Sequence, residues 1–283
     1  MAFAYATTNA LSALSASAFT PGSGPSDATR AYLNDGRMDR QYTFTAAASS
    51  NTLVIDMGSA TTLRGIAVLN HNLVDSVAPR AITVEAADNS AITVNPVTAK
   101  LASTVTDDSS DTNPVNKDTV LQFAAVTKRY WRLTFAWDSG TFALKIGEIF
   151  AYASSTQLSR GQVDGSGETE RMVVTNPVEL QTGDTRFGFL GGPVRTKHLR
   201  SDSTFSTSER KELLTLWRLL RGPVTPFLWI ESYEATSASA LLPEQDCIFG
   251  RLMLPDFAWT WSDYNLSQPP ELVIRSLGRE LGA

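Results

Sequence analysis

The sequence predicts a mainly β protein in two parts: an antiparallel β-sandwich, then a β-rich unit with one main α-helix. Three observations predict it. Short apolar and β-branched runs recur at close spacing through the first half, with no helical stripe between them. A single stretch near residues 206–221 carries apolar residues at helical spacing. Between these regions, Ser154-Ser-Thr and Gly161-Gln-Val-Asp-Gly-Ser-Gly167 have the composition of a flexible linker. The expected division is therefore a sandwich over 1–153, a linker over 154–167 and an assembly unit over 168–283.

Residues 1–34 are rich in Ala, Ser, Gly and Pro and read as an irregular arm leading into the turn Asn34-Asp35-Gly36. Thr52-Leu-Val-Ile-Asp-Met57 is the first strand, with Leu53, Ile55 and Met57 on one face and Gly58 ending it. A second strand runs from Leu63 to Leu69. Ala81–Glu85 and Ala91–Val94 read as a hairpin around Asp88-Asn-Ser90. Residues 102–118 are a polar loop whose Asp cluster is read as a solvated loop rather than a cation site, since calcium needs six or more converging oxygens. In Arg129-Tyr-Trp-Arg-Leu-Thr-Phe135, the triplet Trp131, Leu133 and Phe135 should face the core, with Tyr130, Arg132 and Thr134 opposite. Phe142-Ala-Leu and Ile146–Tyr152 complete the series.

The order of Asn34-Asp35-Gly36, Leu53-Val-Ile-Asp-Met-Gly58, Leu63-Arg-Gly-Ile-Ala-Val68, Arg129–Phe135 and Ile146–Tyr152 resembles galactose-binding-like, or discoidin-like, domains. The resemblance covers about residues 10–153 and implies a jelly-roll β-sandwich. Sugar binding does not follow from the fold, which also serves purely structural roles. Related domains often hold a structural calcium near the DG turn. Asn34, Asp35 and Asp39 could supply oxygens there, but the remaining ligands have no candidates and no metal is assigned.

In the second half, Met172–Val174, Val178–Leu180, Arg186–Leu190 and Val194–Leu199 read as strands. The helix opens on Ser206-Thr-Ser-Glu209, a capping box, and carries Leu213, Leu216, Trp217 and Leu220 as one stripe. Gly222 and Pro223 stop it. Pro226–Glu231, Cys247–Leu254, Asp256–Trp261 and Glu271–Ser276 are further strands. This order of strands, one helix and aromatic strands resembles in outline the ring-forming domain of siphophage distal tail and tail-tip proteins.

Net charge is −5, which argues against general nucleic-acid binding. One cysteine and two histidines exclude a disulfide framework and cysteine- or histidine-rich metal chemistry. No apolar run is long enough for a membrane span, and the N-terminus lacks the features of a secretory signal. No nucleophile elbow, Walker loop or H-E-x-x-H helix is present, so no catalytic residue, cofactor or metal is expected. Asn70, His71 and Asn72, after a strand, either hydrogen-bond a sugar or cap their own loop. Trp137 either stacks on a ligand or lids the sandwich end. Trp217, Arg218 and Arg221 on the helix, with Trp229, Trp259 and Trp261 on strands, are candidates for subunit contact; the aromatic ones serve a core equally well.

The two resemblances together imply a non-enzymatic structural protein of a phage virion, made in the bacterial host cytoplasm. It would sit at the distal tail or tail tip, form a ring-shaped homo-oligomer through its second unit, and project the sandwich towards other tail proteins or the host surface. The alternative is a carbohydrate-binding module targeting a host-surface glycan. Neither requires membrane insertion.

Overall fold

The computed structural model describes residues 4–38, 40–105, 117–157, 167–179, 186–199, 207–221, 224–230, 241–242, 247–253, 260–263, 266–268 and 272–276. In chain order the strands of the first half are β1 (Ala4–Ala6), β2 (Phe19–Pro21), β3 (Tyr42–Thr43), β4 (Ser50–His71), β5 (Ala81–Ala87), β6 (Val97–Thr104), β7 (Lys117–Ala136), β8 (Lys145–Ile146), β9 (Glu148–Tyr152) and β10 (Thr156–Gln157). They are followed by β11 (Gly167–Glu179), β12 (Arg186–Leu199) and helix α1 (Thr207–Leu220). The remaining strands are β13 (Phe227–Ile230), β14 (Leu241–Leu242), β15 (Cys247–Leu252), β16 (Thr260–Asp263), β17 (Leu266–Gln268) and β18 (Leu272–Ser276). The protein is mainly β, as the sequence predicts.

The sandwich is organised by two long strands. β4 and β7 pair antiparallel, and β2, β5 and β6 extend the same sheet in the order β2-β4-β7-β5-β6. Pairing slips between Asp56 and Thr61, and again between Leu63 and Gly65. Bulges of this kind bend a strand. Beyond them the second half of β4 takes β9 as a partner, and β7 takes β14. What the sequence presents as two strands broken at Gly58 is thus one strand turning a corner. Gly58 has φ +74°, and its N–H donates to Asp56 Oδ1 at 2.8 Å.

Strict alternation fixes the inner face. Leu53, Leu133 and Val84 stand in one cross-strand row, and Ile55, Trp131 and Ala86 in the next. All six are buried in one core with Phe19, Leu11 and Leu33 from the arm. The predicted inward triplet Trp131, Leu133 and Phe135 is fully buried. Trp131 stacks on Phe123, with centroids 5.8 Å apart.

The second sheet runs β10-β1-β13-β15-β18-β12-β11. Its central strands are apolar at consecutive positions, because both of their faces are covered. Phe227, Trp229, Ile248 and Leu252 face α1, where Leu213, Leu216 and Leu220 meet them and half-buried Trp217 packs alongside. Leu228, Ile230, Cys247 and Phe249 point the other way, onto the sandwich. There they join Ala67, Leu69, Val120, Phe150 and Tyr152 in one apolar seam. β9 alternates in the same manner, with Ile149 and Ala151 in the sandwich core and Phe150 and Tyr152 in the seam. A Cβ at Gly65 would lie 2.2 Å from the Tyr152 ring, so only glycine lets that ring lie against β4. The helix, the second sheet and the sandwich are therefore successive layers.

Several expectations change. Ala4–Ala6 is not part of the sandwich: it pairs with β13, and Ala4 and Tyr5 also pair with Gln157 and Thr156. The first residues of the arm and the start of the expected linker thus form the last two strands at one end of the second sheet, while the rest of the arm packs on the sandwich. The hairpin partner of β5 is Val97–Thr104 rather than Ala91–Val94. Asn89 Oδ1 accepts from the N–H groups of Thr93 and Val94, both at 2.9 Å, and Ile92 and Asn95 have positive φ, so that β-branched run is folded into a loop. The helix ends at a left-handed Arg221, φ +52°. Ser206, Gly222, Pro223, Trp259 and the Asp cluster at 107–111 lie outside the described residues, as do the expected strand ends Leu180 and Leu254 and most of Asp256–Trp261. Among the described residues no helix is long and apolar enough to cross a membrane.

Candidate functional site

The ligand candidates read from sequence lie inside the fold. Asn70 has φ +52°, donates its N–H to Asp118 Oδ1 at 2.8 Å and donates its side-chain amide to the Met38 carbonyl. Asn72 Oδ1 accepts the Lys145 N–H at 2.7 Å, and its amide donates to the Ala143 carbonyl at 3.2 Å. His71 Nδ1 accepts the Leu73 N–H at 3.3 Å, which leaves Nε2–H to donate to Thr119 Oγ1 at 2.8 Å. Trp137 donates Nε1–H to the carbonyls of Gly140 and Ala48 and meets Phe142 edge-on. All four side chains are buried, so the structure assigns them to loop capping and to lidding the sandwich end, not to a rim open to sugar.

His71 and Thr119 have the atoms of a base and a nucleophile. They are 0% and 5% exposed, so no substrate reaches them. At the DG turn, Glu148 is buried and meets N–H donors: Gly36 N–H to Oε2 at 2.9 Å and the Asn9 amide to Oε1 at 3.1 Å. A carboxyl held by donors does not fit the oxygen cage that calcium needs. Among the described residues no three His, Cys, Asp or Glu side chains converge as metal ligands; Asp39 lies outside them.

Of the assembly candidates, Trp229 is core, packed edge-on against Phe227. Trp217 is half-buried, and Arg218 and Arg221 are exposed at the helix end. Trp261 lies in β16, but its side chain is outside the description.

The outer face of the first sheet offers a different arrangement. Alternation that buries Leu53, Leu133 and Val84 turns the intervening residues outwards in three rows: Thr52-Thr134-Thr83, Val54-Arg132-Glu85 and Asp56-Tyr130, the last ending at Ala87, which is itself buried. Arg129 donates Nε–H and Nη2–H to the two oxygens of Asp56, at 2.8 and 2.9 Å, while its guanidinium lies 4.8 Å from the Tyr130 ring centroid. The hydrogen bond from Arg129 holds the Asp56 carboxyl below its usual range, helped by the Gly58 N–H. Asp88 is likewise lowered, by hydrogen bonds from Asn95 and Lys128.

The central pair differs. Arg132 sends both Nε–H and Nη2–H to one oxygen of Glu85, Oε2, at 2.9 and 2.7 Å. Glu85 Oε1 and Arg132 Nη1 make no hydrogen bond among the described residues. The pair is 26% and 31% exposed. An outward acceptor and an outward donor are thus fixed side by side, between a tyrosine and a row of threonines. Sequence alternation finds the face; the use of a single carboxylate oxygen is a matter of rotamers, which alternation does not carry.

No family model and no curated protein matches the chain. Several solved structures similar to about half of it are carbohydrate-binding modules, and another is a fucosidase of Ruminococcus gnavus. A chitosan-binding module derived from a chitosanase/glucanase of Paenibacillus sp. IK-5 is 17% identical, covering 51% of this chain and 98% of the module, with a TM-score of 0.39. A module of Clostridium perfringens in complex with GalNAc-β-1,3-galactose is 12% identical, covering 48% and 94%, with a TM-score of 0.37. A family-32 carbohydrate-binding module in complex with 4,5-unsaturated mannuronic acid is 20% identical, covering 48% and 95%, with a TM-score of 0.35. The tail-tip likeness expected for residues 168–283 finds no support in these comparisons.

Proposed function

We propose that this is a non-catalytic glycan-binding protein whose outer sandwich face takes a neutral polysaccharide. The half-used Arg132–Glu85 pair carries the reading. A carboxylate oxygen and a guanidinium N–H presented together match the acceptor and donor needs of adjacent sugar hydroxyls. Hydroxyls of Thr83 and Thr134 flank the pair, and Tyr130 adds apolar surface. Positive and negative side chains on the face balance, which suits an uncharged ligand. The ligand class is the alternative that the sequence suggests, carried by the sheet face instead of the loop after β4.

Arg132→Ala and Glu85→Ala are each expected to weaken retention on neutral polysaccharides at least 10-fold by affinity electrophoresis. Their thermal midpoints should stay close to that of the parent, because exposed ion pairs contribute about 0–1 kcal/mol. Binding unchanged by both substitutions overturns this site.

A second reading, assembly in a phage tail, is favoured by one observation. Leu219 and Val224 stand exposed beside Arg218 and Arg221 at the end of α1. An oligomer closing through that end, and a virion location, belong to this reading. Sedimentation separates the two: a monomer is expected for the glycan binder, and a discrete ring for the tail protein.

A further inference from the structure

We infer that the cleft where the chain enters and leaves the second sheet is a second binding site, for a single neutral sugar or similar polyol. It is separate from the sandwich face and does not depend on it.

The cleft has a volume of about 260 Å³ and is walled by three parts of the chain. Tyr5 to Thr8 come from β1 and the turn after it, Ser154 and Thr156 from the exit of the sandwich, and Leu219 from the last turn of α1. This place exists only because β1 and β10 pair with each other at the edge of the second sheet.

The lining states the ligand chemistry. Five hydroxyl-bearing residues, Tyr5, Thr7, Thr8, Ser154 and Thr156, line it, and among the described residues no charged one does. Hydroxyls both donate and accept, so they satisfy a ligand whose own groups do the same. Alanines at positions 6, 10 and 153 supply small apolar walls. Leu219, 55% exposed, stands at the mouth as an apolar surface for the C–H face of a ring. The volume falls below the usual range of roughly 300–1,000 Å³ for drug-sized ligands, so one ring fits better than a chain. Tyr5 is kept protonated, chiefly by burial and further by the Glu212 carboxylate, while its hydroxyl bonds the Thr156 side chain. That nearby carboxylate also disfavours an anionic sugar.

The test is saturation-transfer NMR on the full chain with D-glucose, D-galactose and D-mannose, and with D-glucuronate as the charged counterpart. At least one neutral hexose is expected to bind in the millimolar range, the affinity open to a ligand of about a dozen non-hydrogen atoms. Glucuronate should bind at least 10-fold more weakly. In an Arg132→Ala background, in which the sandwich face is disabled, the signal should persist; there Ser154→Trp, an exposed position whose new ring fills the cleft, should abolish it, and Leu219→Ala should weaken it about 5-fold. The proposal is overturned if no neutral hexose binds at about 50 mM, if glucuronate binds equally well, or if, in that background, Ser154→Trp and Leu219→Ala both leave binding unchanged. Loss of the signal in Arg132→Ala would also overturn it, by placing the sugar on the other site.

Discussion

Phe249→Glu is expected to split the unfolding of this protein into two transitions. Phe249 lies in the apolar seam, with its ring 5.5 Å from that of Phe150. The sandwich core and the core beneath α1 share no residue with the seam, so each survives its loss. The intact seam couples them, and one cooperative transition is expected for the parent. A buried, unpaired carboxylate opposes closure far more strongly than a missing ring does. Phe249→Ala should keep a single transition and lose about 3–5 kcal/mol, the usual cost of truncating a buried aromatic. Urea titration followed by peptide-resolved hydrogen exchange reads both halves separately. Two transitions already present in the parent, or a Phe249→Glu profile like the parent's, would show that the seam does not couple the units.

The seam also marks where the sequence stops being readable. Period-2 alternation puts Leu53, Ile55 and Met57 on one face and Trp131, Leu133 and Phe135 on another, and all six lie in the sandwich core, because those stretches of β4 and β7 have one outward face. In Phe227-Leu-Trp-Ile230 and Cys247-Ile-Phe249 every position is apolar and every position is buried. Such a run announces burial on both sides but not the identity of either neighbour. Nothing local tells that Phe227 and Trp229 face a helix while Leu228 and Ile230 face another sheet.

The arm failed for a different reason. Ala4-Tyr-Ala6 is too short to show any period, and its strand character comes from β13 and β10 alongside it. The loop at 88–95 shows the converse. Ala91-Ile-Thr-Val94 has strand composition, yet the Asn89 side chain takes two of its N–H groups and closes a turn. Local side-chain bonding outweighs β propensity there.

The candidate site was half visible. Alternation puts Tyr130, Arg132 and Thr134 on one face, and they lie on it. The Asn70–Asn72 loop reads as a rim because it places polar residues at a strand end. Its amides instead satisfy the backbone of residues 38, 143 and 145, which are distant in sequence. Such partners are set by tertiary structure alone.

Glu148 supplies the second large expected effect, and it is a pH effect. Burial pushes its carboxyl up to about 9, and the charge of Asp35 adds to this; the Gly36 N–H and the Asn9 amide pull the other way. In the unfolded chain the group returns to about 4.3. A folded pKa above the unfolded one means that the native state holds the proton more tightly. The stabilisation is therefore complete below about pH 4 and is lost progressively as pH rises to about 9. Each unit of pH within that window removes up to about 1.4 kcal/mol. Glu148→Gln cannot ionise, so its stability should lack this slope. Its amide turns an N–H₂ towards one of the two donors, which costs about 1–3 kcal/mol and does so equally at every pH. Urea midpoints at pH 5, 7 and 8.5 separate the two contributions, since the offset shifts all three points and the slope does not. The parent should lead only on the acidic side, the two chains should cross between about pH 5 and 6.5, and the variant's lead should widen from pH 7 to pH 8.5. Parallel pH profiles for the two chains would mean that Glu148 is already ionised in the folded protein, with the donors of Gly36 and Asn9 outweighing its burial.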